Sequence, residues 1–247
     1  MKGFRAAVGL LTRVPSRPGP DTEKAIPWLP VVGGIVGVVV AFVYIALRGS
    51  VGPAAAATVA IGAGALVTGG FHEDGLADTA DAFGADVSRE RRLEILKDPH
   101  HGTFGVLALV VGIVARIAAV SALGRWEALA ALPAAHALSR AAPAQQMWLL
   151  PSATPDGLGA RYSEPVGRRV ALTAGAAGLG ATVALLGGWS VPAVAVAILV
   201  ASAMGWLALR KIGGITGDVL GATQQLVEIG VLFVCVSAGP GVPWWRG

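Results

Sequence analysis

The sequence predicts an all-α protein, a polytopic integral membrane helical bundle, and three observations predict it. Only 14% of the residues are Asp, Glu, Lys or Arg, against 54% hydrophobic ones, and the mean hydropathy is +0.67. Soluble domains carry about 25% charged residues, and an ordinary core cannot absorb this much apolar surface. Nearly uncharged stretches of about twenty residues, the length that crosses a bilayer's hydrocarbon, recur along the chain. Gly and Ala are dense within them, and small residues let membrane helices approach closely.

The elements follow in order. Residues 1–27 carry Lys2, Arg5, Arg13, Arg17 and Lys24 without the long apolar core of a cleaved signal peptide, so they read as a cytosolic or interfacial arm. About seven transmembrane helices are expected after it, over 28–47, 53–71, 104–123, 126–150, 170–188, 191–209 and 216–238. Between the second and third, "RERRLEILK" at 89–97 mixes Leu93, Ile95 and Leu96 with cations and is followed by Pro99, a pattern that suits a short interfacial helix. The single cysteine, Cys235, excludes an intramolecular disulfide and a cysteine-cluster metal site. No linker or internal repeat divides the chain, and 1–247 is read as one membrane-embedded domain. With the N-terminus in the cytosol, fourteen of the nineteen Lys and Arg fall on that side, and nearly every acid joins them. Any chemistry then faces the cytosol.

The acids are concentrated. "TGGFHEDGLADTADAFGAD" ends the second apolar stretch and places five carboxylates within fifteen residues. On a helix, Asp74, Asp78 and Asp81 stand at i, i+4 and i+7, within about 60° of one another around the axis. Like charges that close repel unless a cation sits among them. Carboxylate oxygens, completed by water and substrate phosphate, are how Mg²⁺ is usually held; a solvated acidic face is the plainer reading. His72, Glu73 and Asp86 are read as interfacial polarity or extensions of the cluster.

Two further segments carry polar groups into the apolar background. In "KDPHHGTFG", Lys97, His100 and His101 offer donors, and Gly102 and Gly105 let backbone amides approach a phosphate at a helix start. In "KIGGITGDVLGATQQLVE", Gly213, Gly214, Gly217 and Gly221 surround Asp218, and Glu228 lies about three turns into the last span. A carboxylate at such a depth is a functional candidate or half of an internal ion pair with Arg116 or Arg140. Either arginine can clamp phosphate or neutralise an acid. His136 and Ser139 are read as helix-to-helix hydrogen-bonding groups. Acids, glycines and cations from three segments thus point to a metal and a phosphorylated substrate, with no sign of nucleic acid as a partner.

These motifs resemble cobalamin synthase, the adenosylcobinamide-GDP ribazoletransferase family. The resemblance rests on "GGFHEDGLADTADAFG" at 69–84, "LKDPHHGTFG", "GGITGDVLGA" at 213–222, "LLTRVPSRP" near the N-terminus and "PVVGGIVG" at 30–37, and it covers almost the whole chain in order. It implies a Mg²⁺-dependent enzyme of the bacterial plasma (inner) membrane, with its active site toward the cytosol. Such an enzyme joins adenosylcobinamide-GDP to α-ribazole or α-ribazole 5′-phosphate and releases GMP, in the last steps of cobalamin biosynthesis. Membrane lipid and other corrinoid-pathway enzymes are its expected neighbours.

On that reading Asp74, Asp78, Asp81 and Asp218 are the metal ligands, and Lys97, His100, His101, Gly102, Arg116, Arg140 and Gly214 contact substrate. Asp98 and Glu228 are the candidates to take the proton of an attacking ribazole 5′-oxygen. The second motif departs from the family pattern: Asp98-Pro99-His100-His101-Gly102 stands where an arginine is expected, leaving its phosphate contact to a histidine or Lys97. Three other readings stay open: a transporter with Arg116, Arg140 and Glu228 along its path, an enzyme like the CDP-alcohol phosphotransferases, and a membrane scaffold for soluble enzymes.

Overall fold

A computed structural model describes residues 2–15, 23–154 and 166–246. Arg17, Arg161 and the end of the N-terminal motif at Ser16–Pro18 lie outside the described residues. The helices are α1 (Lys2–Leu11), α2 (Leu29–Val51, entered through a 3₁₀ turn at Glu23–Trp28), α3 (Pro53–Thr68), α4 (Phe71–Gly84) and α5 (Arg89–Ile95). They continue as α6 (Thr103–Ala122), α7 (Arg125–Leu149), α8 (Arg168–Leu186), α9 (Ser190–Ile212) and α10 (Gly217–Ala238).

Every expected apolar span folds as a helix. Among the described residues, four helical stretches can cross a membrane by length and composition: Glu23–Val51, Thr103–Ala122, Arg168–Ile212 and Gly217–Gly241. The pair α3 and α4, bent by 92°, passes together as a fifth. The expected seven are therefore not all borne out on these terms. Helix α3 has only 16 residues, and α7 interrupts its apolar run with His136, Arg140, Gln145 and Gln146. The third of the four stretches contains α8 and α9, separated by a 3₁₀ turn at Gly187–Trp189.

The polar content of α7 has a packing explanation. Its middle is buried on all sides, from Ala130 through Ala144, with α2, α8 and α10 packed around it. Small residues make this possible: a Cβ added to Gly37 of α2 would lie 2.5 Å from the Leu132 carbonyl oxygen, and one on Gly178 of α8 would lie 2.6 Å from Ala141 Cβ. The polar side chains in the middle of α7 thereby meet protein on all sides, as ionisable groups of membrane bundles usually do.

Helix α1 is docked. Ala6, Ala7 and Leu11 of α1 are buried, and Phe4 meets Trp28 edge to face with ring centroids 5.7 Å apart. Helix α5 forms where the sequence places a short interfacial helix, with Ser88 accepting from the Arg91 amide as its N-cap. Two of its cations turn inward: Arg92 donates to the Ala82 carbonyl, and Arg89 donates to the carbonyls of Ile212 and Ala153. This side of α5 is fastened to α4 and to the end of α9.

Candidate metal centre and cavity

Gly69 and Gly70 aim α4. Both hold left-handed backbone, φ 76° and 72°, which a residue with a Cβ adopts only at a cost, and their amides close the end of α3 on the Ala65 carbonyl. The chain then sets off at 92° to α3. Helix α4 runs antiparallel to both α6 and α10: Leu76 meets Gly112 and Asp81 meets Gly105, while His72 meets Gly221 and Gly75 meets Asp218. A Cβ on Gly75 would stand 2.8 Å from the Asp218 carbonyl oxygen, so this glycine brings the α10 N-terminus against the acidic face.

The three aspartates that share this face are divided by their neighbours. Asp81 caps α6: its Oδ2 accepts from the Gly102 amide at 2.6 Å and its Oδ1 from the Gly105 amide at 2.8 Å. A carboxylate is favoured there because the unpaired amides of a helix start carry partial positive charge. Asp74 and Asp78 instead surround His101, whose Nε2 lies 3.7 Å from Asp74 Oδ1 and whose Nδ1 lies 3.3 Å from Asp78 Oδ1. Donor atoms of Asp74, Asp78 and His101 all fall within 4.8 Å of one another. Asp218, 3.4 Å from Thr216 Oγ1, lines one cavity with Asp74, and its backbone packs on Gly75 of α4.

The other candidates separate into distinct places. Lys97 and Arg140 line a cavity of about 340 Å³ that also reaches Asp74 and Asp218. Asp98 and His100 pair with each other in an exposed turn, where Asp98 Oδ1 takes the His100 amide at 3.0 Å and lies 2.8 Å from its ring Nδ1. The His100 ring, with its amide, holds the Asp98 carboxyl below its usual range, and a weaker base is a poorer proton acceptor. Gly102 serves as the N-cap residue of α6. Gly214 lies against the chain after α7: a Cβ would come 2.5 Å from the Pro151 carbonyl oxygen, and Ile215 forms an isolated parallel bridge with Ser152.

Arg116, Arg140 and Glu228 form one buried network below the carboxylates. Glu228 accepts from Arg140 and, at 2.8 Å, from Gln224; Arg116 Nη1 is 2.9 Å from Glu73 Oε1 and 3.8 Å from Glu228 Oε1. Arg140 also reaches Ser139 Oγ at 2.9 Å. Two guanidinium groups thus face two carboxylates. The sequence left Glu73 open as interfacial polarity, and the fold turns it inward onto Arg116. The spacing of Gln224 and Glu228, one helical turn apart, was the available signal for the rest of the network. The cavity lining contributed by Leu11, Leu29, Leu96 and Met147 carried no local signal, because it is assembled from α1, the start of α2, the turn after α5, and α7.

Comparison with known proteins identifies relatives along the chain. The family model described as cobalamin-5-phosphate synthase matches residues 3–236. The adenosylcobinamide-GDP ribazoletransferase of Bradyrhizobium diazoefficiens is 42% identical over 241 residues, covering 95% of this chain and 93% of that protein. Those of Ralstonia nicotianae and Chlorobaculum tepidum are 37% and 36% identical, over 94% and 99% of this chain and 93% and 98% of theirs. No solved structure matches the chain significantly. A model match across nearly the full length, with relatives above 30% identity along both chains, shows that this protein belongs to the cobalamin-5-phosphate synthase family.

Proposed function

We propose that this chain is an adenosylcobinamide-GDP ribazoletransferase that joins adenosylcobinamide-GDP to α-ribazole or its 5′-phosphate and releases GMP. The observation that carries the reading beyond family membership is the meeting of Asp74, Asp78 and His101 beside a cavity that Asp74 and Asp218 line. The donor set fits Mg²⁺, which takes carboxylate oxygens and keeps waters that substrate phosphates can replace. Asp74, Asp78 and Asp218 would hold it, and it supplies charge neutralisation on the diphosphate. His101 lies between two of these carboxylates and orients them. Asp81, with both oxygens on backbone amides, holds the "HHG" turn in place; Lys97 supplies a cation at the cavity rim in place of the family's arginine.

A ribose oxygen forms the new bond to the phosphorus attached to the cobinamide as the bond from that phosphorus to GMP breaks. GMP leaves with the electron pair, and the hydroxyl proton passes to a carboxylate or to solvent. The 5′-oxygen is not the attacking atom on this reading. The family's product is a cobalamin 5-phosphate, so that oxygen already carries phosphate in one form of the substrate, and a secondary ribose hydroxyl attacks. The mutual pairing of Arg116, Arg140 and Glu228 supports an internal brace over a transport path.

We also propose that α3 and α7 cross the membrane and that α8 and α9 each do so, with residues 1–247 acting as one domain and the carboxylates facing the cytosol. The Lys and Arg bias supports this orientation. The test of function is GMP release by protein in lipid nanodiscs with Mg²⁺: release from adenosylcobinamide-GDP is expected only when α-ribazole is added. Release without it, or none with it, overturns the reading.

A further inference from the structure

We infer that the cavity of about 340 Å³ between α1, α2, α4, α5, α7 and α10 is the ribazole subsite: the aromatic base lies against the apolar wall and the ribose faces Asp74 and Asp218. This rests on the ribazoletransferase reading and adds to it which substrate occupies which part of the site.

Leu10 and Leu11 of α1, Leu93 and Leu96 of α5 and its following turn, and Pro143 and Met147 of α7 make an apolar wall, with Lys97 of that turn and Arg140 of α7 as cations beside it. Asp74, Asp218, Thr216 and Gln224 stand on α4, α10 and the loop before it. A ligand that fits is therefore apolar at one end and polar at the other.

Three parts of the substrates compete for this space. A corrin macrocycle with its amide-bearing side chains is far larger than a cavity at the low end of the small-ligand range, roughly 300–1,000 Å³. Guanine carries hydrogen-bonding atoms around most of its rim, and leaving these unmet against leucines and a proline is costly. A dimethylbenzimidazole presents methyl groups and hydrocarbon edges, with one free ring nitrogen once the ribose is attached. It alone matches the apolar wall. The ribose hydroxyls then fall on the carboxylate side, where the diphosphate must meet them.

The experiment uses wild-type protein in nanodiscs without Mg²⁺ and titrates 5,6-dimethylbenzimidazole calorimetrically. One site per chain is expected, displaced by α-ribazole and not by GMP or GDP. Met147→Trp, which fills the apolar wall, should weaken base binding at least about tenfold and raise KM for α-ribazole to match, by steric exclusion. KM for adenosylcobinamide-GDP should stay within about twofold. Absence of base binding to the wild-type protein, displacement by guanine nucleotides, or a rise in the corrinoid KM alone overturns the subsite. Ribazole-dependent GMP release by the wild type is scored separately, so the transferase reading can survive when the subsite does not. Because the wild-type titration needs no substitution, a misfolded Met147→Trp leaves the inference testable.

Discussion

Replacing Glu228 by Gln should cost stability before it costs chemistry. Glu228 is 1% exposed. Its carboxylate takes Arg140 and Gln224, with His136 Nδ1 at 3.3 Å and Arg116 Nη1 at 3.8 Å. With Glu73 on Arg116, the cluster balances two guanidinium groups against two carboxylates. Gln keeps the volume, so no cavity opens, but it leaves one positive charge uncompensated in the interior. Breaking one side of a buried pair costs about 3–5 kcal/mol. At about 2–4 °C per kcal/mol for a chain of this size, the melting temperature should fall by roughly 6–20 °C. Differential scanning fluorimetry in nanodiscs reads this directly. Removing the stranded charge as well, in Glu228→Gln with Arg140→Met, should recover part of the loss, because an apolar replacement of a buried pair is often tolerated. A Glu228→Gln protein that melts within about 2 °C of wild type, yet loses turnover by about a thousandfold, would refute the bracing role and make Glu228 the proton acceptor.

Asp74→Asn and Asp78→Asn should each lower GMP release more than about a hundredfold in an enzyme that still inserts, since even outer-shell changes at metal sites cost about 10–100-fold; EDTA should abolish release and Mg²⁺ restore it, and near-normal turnover in both variants would reduce the acidic face to solvation. Gly105→Ala should destabilise the protein and lower activity, because its Cβ would fall within 2.3 Å of Asp81 Oδ2 and push the cap off α6; losing such a cap costs about 0.5–2 kcal/mol, read from a melting curve. In sealed cells, a maleimide that does not cross the membrane should label cysteines placed at Ser50 and Gly188 and miss one at Ser88; external labelling at Ser88 would reverse the orientation.

The sequence by itself determined the class of molecule, the position of each long helix, and the three polar segments. Composition and apolar run length are local properties, and burial of hydrocarbon acts on them wherever they occur. It also determined that Asp74, Asp78 and Asp81 share a helix face, because 3.6 residues per turn is a property of the backbone alone. What those carboxylates do was decided by tertiary structure. The start of α6 arrives beside Asp81 and takes both its oxygens, whereas His101, one residue before Gly102, swings between Asp74 and Asp78. Helical periodicity cannot choose between these outcomes, since the competing partner is a set of backbone amides with no residue signature. The same reason separates Gly214, which admits a neighbouring loop, from Gly75, which admits Asp218. The cavity is the furthest from local pattern: its walls come from α1, α5, α7 and α10, and only the packing of those helices decides that Leu10, Leu96, Met147 and Asp218 look onto one space.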